Sequence, residues 1–143
     1  MSQGNVEIAR GAVAAINETY QTGDLVTWRR FVEETFDPEI VLESGTEAFT
    51  EGPWHGHDGL VEFVANQMEV LDGMWLRVDE YLYDDGVWLL LAIAFGGRAQ
   101  HTGIEVELHP FHVFQMRDAK AVRWKVFAET ERQQALEAVG LAH

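Results

Sequence analysis

The chain has 143 residues, no cysteine, and 10 basic against 24 acidic side chains, for a formal charge of −14. That length suits one domain, taken as 1–143, and the missing thiols exclude a disulfide framework, a thiolate metal site and a cysteine nucleophile. The acidity, with no Lys/Arg cluster to offset it, would repel phosphate backbones and anionic lipid, which argues against nucleic acid or membrane as a partner.

The start, Met1 to Glu7, lacks the basic, apolar pattern of a signal peptide, so a cytoplasmic protein is expected. Asn5 is placed to cap a first helix with the stripe Val6, Ala9, Val13, Ile16 and Tyr20, stopped by Gly23. Asp24 caps a second helix presenting Leu25, Trp28, Val32 and Phe36, which Asp37-Pro38 ends. A short strand, Glu39 to Glu43, and a loop, Ser44 to Pro53, follow. Trp54-His55-Gly56-His57-Asp58-Gly59 then leads into a third helix with the stripe Leu60, Phe63, Val64, Gln67 and Leu71, closed by Asp72-Gly73.

From Met74 the period changes to that of strands. Met74–Tyr83 and Val87–Gln100 flank a hairpin signal, Asp84-Asp85-Gly86. The run Val87 to Phe95 is too short to span a bilayer as a helix and reads as a strand buried on both faces. Ile104–Met116 is the next strand, and its row Ile104, Val106, Leu108, Pro110, Phe114 and Met116 is apolar except for His112. A bulge at Pro110 would swap the rows and take His112 off that face. After a turn at Arg117–Lys120 comes Ala121–Glu129, with Lys125, Phe127 and Glu129 on one row and Trp124, Val126 and Ala128 on the other. A helix of about Glu131 to Val139 ends at Gly140. Helices first and an antiparallel meander afterwards make an α+β domain. A curved, mostly antiparallel sheet with three helices of the N-terminal half on its concave face would enclose an apolar hollow.

Several segments are similar to the SnoaL-like branch of the NTF2-like superfamily of cone-shaped α+β barrels. They are Asn5-Val6-Glu7-Ile8, Gly23-Asp24-Leu25, Phe36-Asp37-Pro38-Glu39-Ile40, Trp54 to Leu60, Phe114 to Asp118, and Ala135 to Leu141. The resemblance implies a site at the base of the cone. It includes polyketide cyclases, ketosteroid isomerases and limonene epoxide hydrolases, so it implies a fold more than a reaction. Laid on the isomerase pattern, Glu43 falls at the general base and His112 at the acid that hydrogen-bonds the oxyanion, the pKa-tuned pairing known for that enzyme. The helix-1 tyrosine of the isomerase falls at Ile16, which cannot donate, leaving Tyr20 one turn on as a substitute. The resemblance also turns the Lys125 row into the cavity and the Trp124 row outward, onto a face where the superfamily commonly dimerises.

Two functions follow. One is binding of a small, mainly hydrophobic, polyketide- or steroid-like molecule, with cofactor-independent acid–base chemistry of isomerase or cyclase type as the activity it would carry. Glu43 would be base and His112 donor or shuttle, with Tyr20, Trp54, Phe111, Phe114 and Phe127 as walls and Lys125 and Glu129 orienting a substrate oxygen. The other is a non-catalytic ligand-binding or dimerisation module. There Glu43 is an exposed strand end, His112 a satisfied core histidine and Lys125–Glu129 a rim ion pair. No phosphate loop, dinucleotide fingerprint or nucleophile elbow occurs, so no cofactor is expected. The spacing of His55, His57, His101 and His109 does not make a metal motif.

Overall fold

A computed structural model describes residues 3–45 and 52–141. Three helices, α1 (Gln3–Thr22), α2 (Leu25–Thr35) and α3 (Gly56–Val70), precede or interrupt the sheet. The strands are β1 (Phe36–Ser44), β2 (Trp54–His55), β3 (Leu71–Asp84), β4 (Trp88–Ala99), β5 (Glu105–Leu108), β6 (Phe111–Arg117) and β7 (Lys120–Phe127). A 3₁₀ turn (Glu129–Glu131) leads into α4 (Arg132–Ala138). The sheet runs β2-β1-β7-β6-β4-β3, with β5 also paired to β4. Only β1 and β7 run parallel, so this is the expected curved α+β cone with a mixed, unclosed sheet.

Curvature comes from bulges. The β3–β4 register shifts between Asp72 and Trp75, Val78 and Glu80, and Tyr81 and Tyr83. Gly96 takes the Trp75 ring directly against its backbone: a Cβ there would stand 2.5 Å from that ring. Pro38 lies within the irregular stretch of β1, between Phe36 and Val41, where it withholds no ladder hydrogen bond.

The concave face packs under α1–α3. Its core includes Ile16, Trp28, Val32, Phe36, Leu42 and Trp124. The other face has its own core, in which α4 sets Ala135 and Val139 on Leu90, Phe111, Val113 and Phe127. Both rows of β4 are therefore covered, with Leu90 and Leu91 each almost fully buried.

Several boundaries differ from the sequence expectation. Asn5 lies inside α1 and does not cap it: the buried amide donates to Asp84 Oδ1 at 3.1 Å and the Gly86 carbonyl at 3.2 Å, tying the helix to the β3–β4 turn. Asp24 caps α2 as expected, accepting from Val26 N at 2.9 Å and Thr27 N at 3.4 Å. Phe36 opens β1 and Leu71 opens β3, because each apolar residue fits the end of a helical stripe and the start of a strand row equally well. Of the loop expected over Ser44 to Pro53, residues 46–51 fall outside the described residues, and Trp54-His55 form β2. The strand expected over Ile104–Met116 is two strands separated at His109-Pro110. Phe95↔Leu108 and Ala92↔Phe111 still fall on one uninterrupted register, with Ile93 N donating to Pro110 O at 3.0 Å, so the rows do not swap.

Edge strand β3 is protected by a side chain. Asn17 of α1 donates from Nδ2 to Leu76 O at 2.7 Å and accepts from Leu76 N at 2.9 Å, replacing the missing strand neighbour. Asn17→Ala would leave both partly buried backbone groups without that partner, at a cost of about 1–3 kcal/mol. Urea unfolding measures this, and a loss below about 0.5 kcal/mol would show that water replaces the amide.

Candidate functional site

The hollow between α1, α3 and the sheet is a cavity of about 360 Å³, within the range of small-molecule sites. Its interior is formed by buried Ile16, Phe63, Phe95, His112, Trp124 and Val126. Exposed Glu107, Glu129 and Thr130 mark the mouth. A smaller void of about 40 Å³ lies deeper, sharing Ile16, Leu76, His112 and Trp124 with the cavity and adding Phe114.

His112 is the innermost titratable group. The strand alternation of β6 turns it to the concave face between Leu91 and Val126, and only 8% of it is exposed. Trp124 Nε1 donates to its Nδ1 at 3.2 Å. An indole N–H can only donate, so Nδ1 must be unprotonated and the neutral ring carries its hydrogen on Nε2. Burial disfavours the imidazolium and pushes the pKa down to about 3. Nε2 has no hydrogen-bond partner among the described residues, and the ring forms part of the cavity wall.

A second polar pair faces the same space. Tyr20 OH donates to Gln67 Oε1 at 2.8 Å, and burial raises the phenol's pKa above its usual value. With Oε1 engaged, the Gln67 amide N–H groups are the donors this residue has left to offer. Both side chains line the cavity, as does Ile16.

The sequence-expected residues do not all meet here. His112, Tyr20 and Glu129 line the cavity, with Glu129 at its exposed mouth. Phe114 lines the deeper void and stacks on Trp124, with centroids 5.3 Å apart. Trp54 packs on the cavity-lining Phe63 at 6.0 Å and stands behind it. The remaining four are on the other face. Leu42 pairs with Trp124 and Glu43 with Lys125, so the buried Leu42–Trp124 row is concave and the Glu43–Lys125 row is convex. Lys125 Nζ lies over the Phe127 ring at 5.1 Å, and Phe127 and Phe111 belong to the core beneath α4. This corrects the row assignment of β7: Trp124, Val126 and Ala128 face the cavity, while Lys125 and Phe127 do not. The physical reason is that α4 covers Phe127 from outside, giving both rows of β7 an apolar environment and removing the contrast that alternation relies on.

Gln67 and Trp124 were not singled out as site residues, although each left a signal. Gln67 is the one polar member of the α3 stripe, and Trp124 heads an apolar row, Trp124, Val126 and Ala128. Among the described residues, no group of three or more His, Asp or Glu is placed to hold a metal ion, and no helix is long and apolar enough to cross a membrane.

No protein-family model matches the sequence, and no curated protein matches it significantly. Solved structures do match over nearly the whole chain. A protein of ketosteroid isomerase-like fold from Catenulispora acidiphila, in complex with trimethylamine, superposes with a TM-score of 0.70 at 12% identity, covering 94% of this chain and 93% of its own. An NTF2-like protein of unknown function from Burkholderia pseudomallei gives 0.68 at 20% identity, over 99% and 98% of the two chains. A putative SnoaL-like polyketide cyclase from Jannaschia sp. gives 0.67 at 15% identity, over 97% and 91%. The chain has the NTF2-like fold.

Proposed function

We propose that this protein binds a small, mainly apolar, polyketide- or steroid-like molecule in the cone, with His112 donating a hydrogen bond to it. One observation carries the reading: a buried neutral imidazole has one nitrogen held by Trp124, while the other lacks a protein partner in the wall of a largely apolar hollow. The ring lines the hollow, so a ligand acceptor there would receive the Nε2 hydrogen. The similarity to a putative polyketide cyclase is consistent with a ring-shaped guest.

Binding is favoured over conversion because isomerase or cyclase chemistry needs a base within reach of a carbon-bound proton. Glu43 stands on the convex face, and the carboxylates that line the cavity, Glu107 and Glu129, are at its mouth. Conversion remains the second reading because Glu129 and His112 share one hollow. Pairing of two copies through the outer sheet face belongs to the same proposal, and sedimentation equilibrium tests it.

The experiment is a ¹H–¹⁵N NMR titration with 2-acetylnaphthalene and with androst-4-ene-3,17-dione. Shifts centred on His112, Gln67 and Trp124 are expected, and His112→Leu should weaken binding about tenfold, the worth of one buried hydrogen bond. Ile16→Trp should abolish binding by filling the hollow. Spectra untouched by either compound would leave the non-catalytic module as the reading.

A further inference from the structure

Among the inner polar groups of the cavity, His112 Nε2 and the Gln67 amide nitrogen are donors, whereas Tyr20, its hydrogen given to Gln67, offers lone pairs only. His112 has its acceptor nitrogen occupied by Trp124, and Gln67 has one lone pair of its Oε1 occupied by Tyr20. Those donors would welcome a carboxylate as readily as a ketone, so charge must be read from the rest of the lining. None of the described residues around the cavity is Lys or Arg. The imidazole at the mouth, His109, is engaged with carboxylates, its Nε2 lying 2.9 Å from Glu107 Oε2 and its Nδ1 3.7 Å from Asp79 Oδ2. Glu107 on β5 and Glu129 beyond β7 come from different elements and line the same opening. The whole chain carries −14.

We infer, resting on the binding reading above, that the cavity selects uncharged rings bearing a hydrogen-bond acceptor, such as ketones or esters, and rejects carboxylates, with Glu107 and Glu129 acting as the charge filter. An anion entering this hollow would shed its hydration without meeting a counter-charge. It would also pass two like charges first, which raises the barrier most at low ionic strength. A ketone suffers neither penalty and still receives the inner hydrogen bonds.

Three ring-matched probes test this: 2-acetylnaphthalene, 2-naphthoate and 2-ethylnaphthalene, titrated by calorimetry at pH 8 in about 20 mM salt, where the Debye length is about 20 Å. The ketone is expected to bind at least tenfold tighter than the carboxylate and more tightly than the acceptor-free hydrocarbon. In the double variant Glu107→Gln/Glu129→Gln, the ketone-to-carboxylate ratio should fall at least threefold, with a smaller response to added salt. Equal binding of ketone and carboxylate would overturn the selectivity while leaving the binding reading standing. An unchanged ratio in the double variant would overturn the role of the two glutamates. Failure of every probe to bind would remove both proposals together.

Discussion

Trp124→Ala should cost about 3–5 kcal/mol, the range for deleting a large buried aromatic, which is a large fraction of the stability of a domain this size. The indole stacks on Phe114 at 5.3 Å and on Phe36 at 5.7 Å, meets Phe63 edge-on at 5.9 Å, and donates to His112. Its removal would empty the centre of the concave core and join the cavity to the deeper void, with both of which Trp124 is in contact. Trp124→Phe separates packing from hydrogen bonding. It keeps an aromatic ring but leaves His112 Nδ1 without its donor, at about 1–3 kcal/mol. Urea unfolding of both variants gives the two costs, and ¹⁵N chemical shifts of the imidazole report whether the Nε2–H tautomer survives in Trp124→Phe. A loss under about 1.5 kcal/mol for Trp124→Ala would mean that the neighbouring rings close over the gap.

Acid should destabilise the fold through His112 before the carboxylates titrate. The folded pKa is pushed down to about 3 from an ordinary 6.5, by burial. Between those values the unfolded chain binds a proton that the folded one does not, so stability is full above pH 6.5 and is lost as pH falls toward 3. The slope approaches about 1.4 kcal/mol per pH unit, which amounts to about 2 kcal/mol between pH 7.5 and pH 5. His112→Gln keeps a neutral side chain with a donor and an acceptor but has no proton to take up. Its stability should therefore be flatter than that of the natural chain across this window by that amount, as measured by urea midpoints at each pH. Parallel curves for the two proteins would show that the folded imidazole titrates at its ordinary pKa and carries no burial shift.

The site was only partly legible in the chain. His112 could be singled out because one imidazole in an apolar row is a local contrast that survives without tertiary information. The assignments of Glu43, Lys125, Phe111 and Phe127 depended on which face of the sheet was concave, and a period of two gives rows without saying which row is inside. Trp124 and Phe127 are both large and apolar on opposite rows of β7, and both are buried, one beneath α1–α3 and the other beneath α4. Gln67 carried a signal that becomes meaningful only once its Oε1 is seen to be taken by Tyr20.

What the sequence determined by itself was the order and kind of elements: three amphipathic helices, a hairpin at Asp84-Asp85-Gly86, and a meander with one strand buried on both faces. Those follow from local physics, namely capping at Asp24, the switch of hydrophobic period after residue 73, and turn chemistry. Tertiary structure alone decided the register across Pro110, the parallel pairing of β1 with β7, and the placement of α4 on the convex face. It also decided that Asn5 and Asn17 spend their amides on distant backbone and side-chain groups instead of on their own helix. Each of these choices is made between alternatives that are nearly equal locally, and the difference comes from contacts dozens of residues apart. The inward face of β7, the neutral state of His112 and the charge pattern of the mouth are therefore properties of the assembled cone.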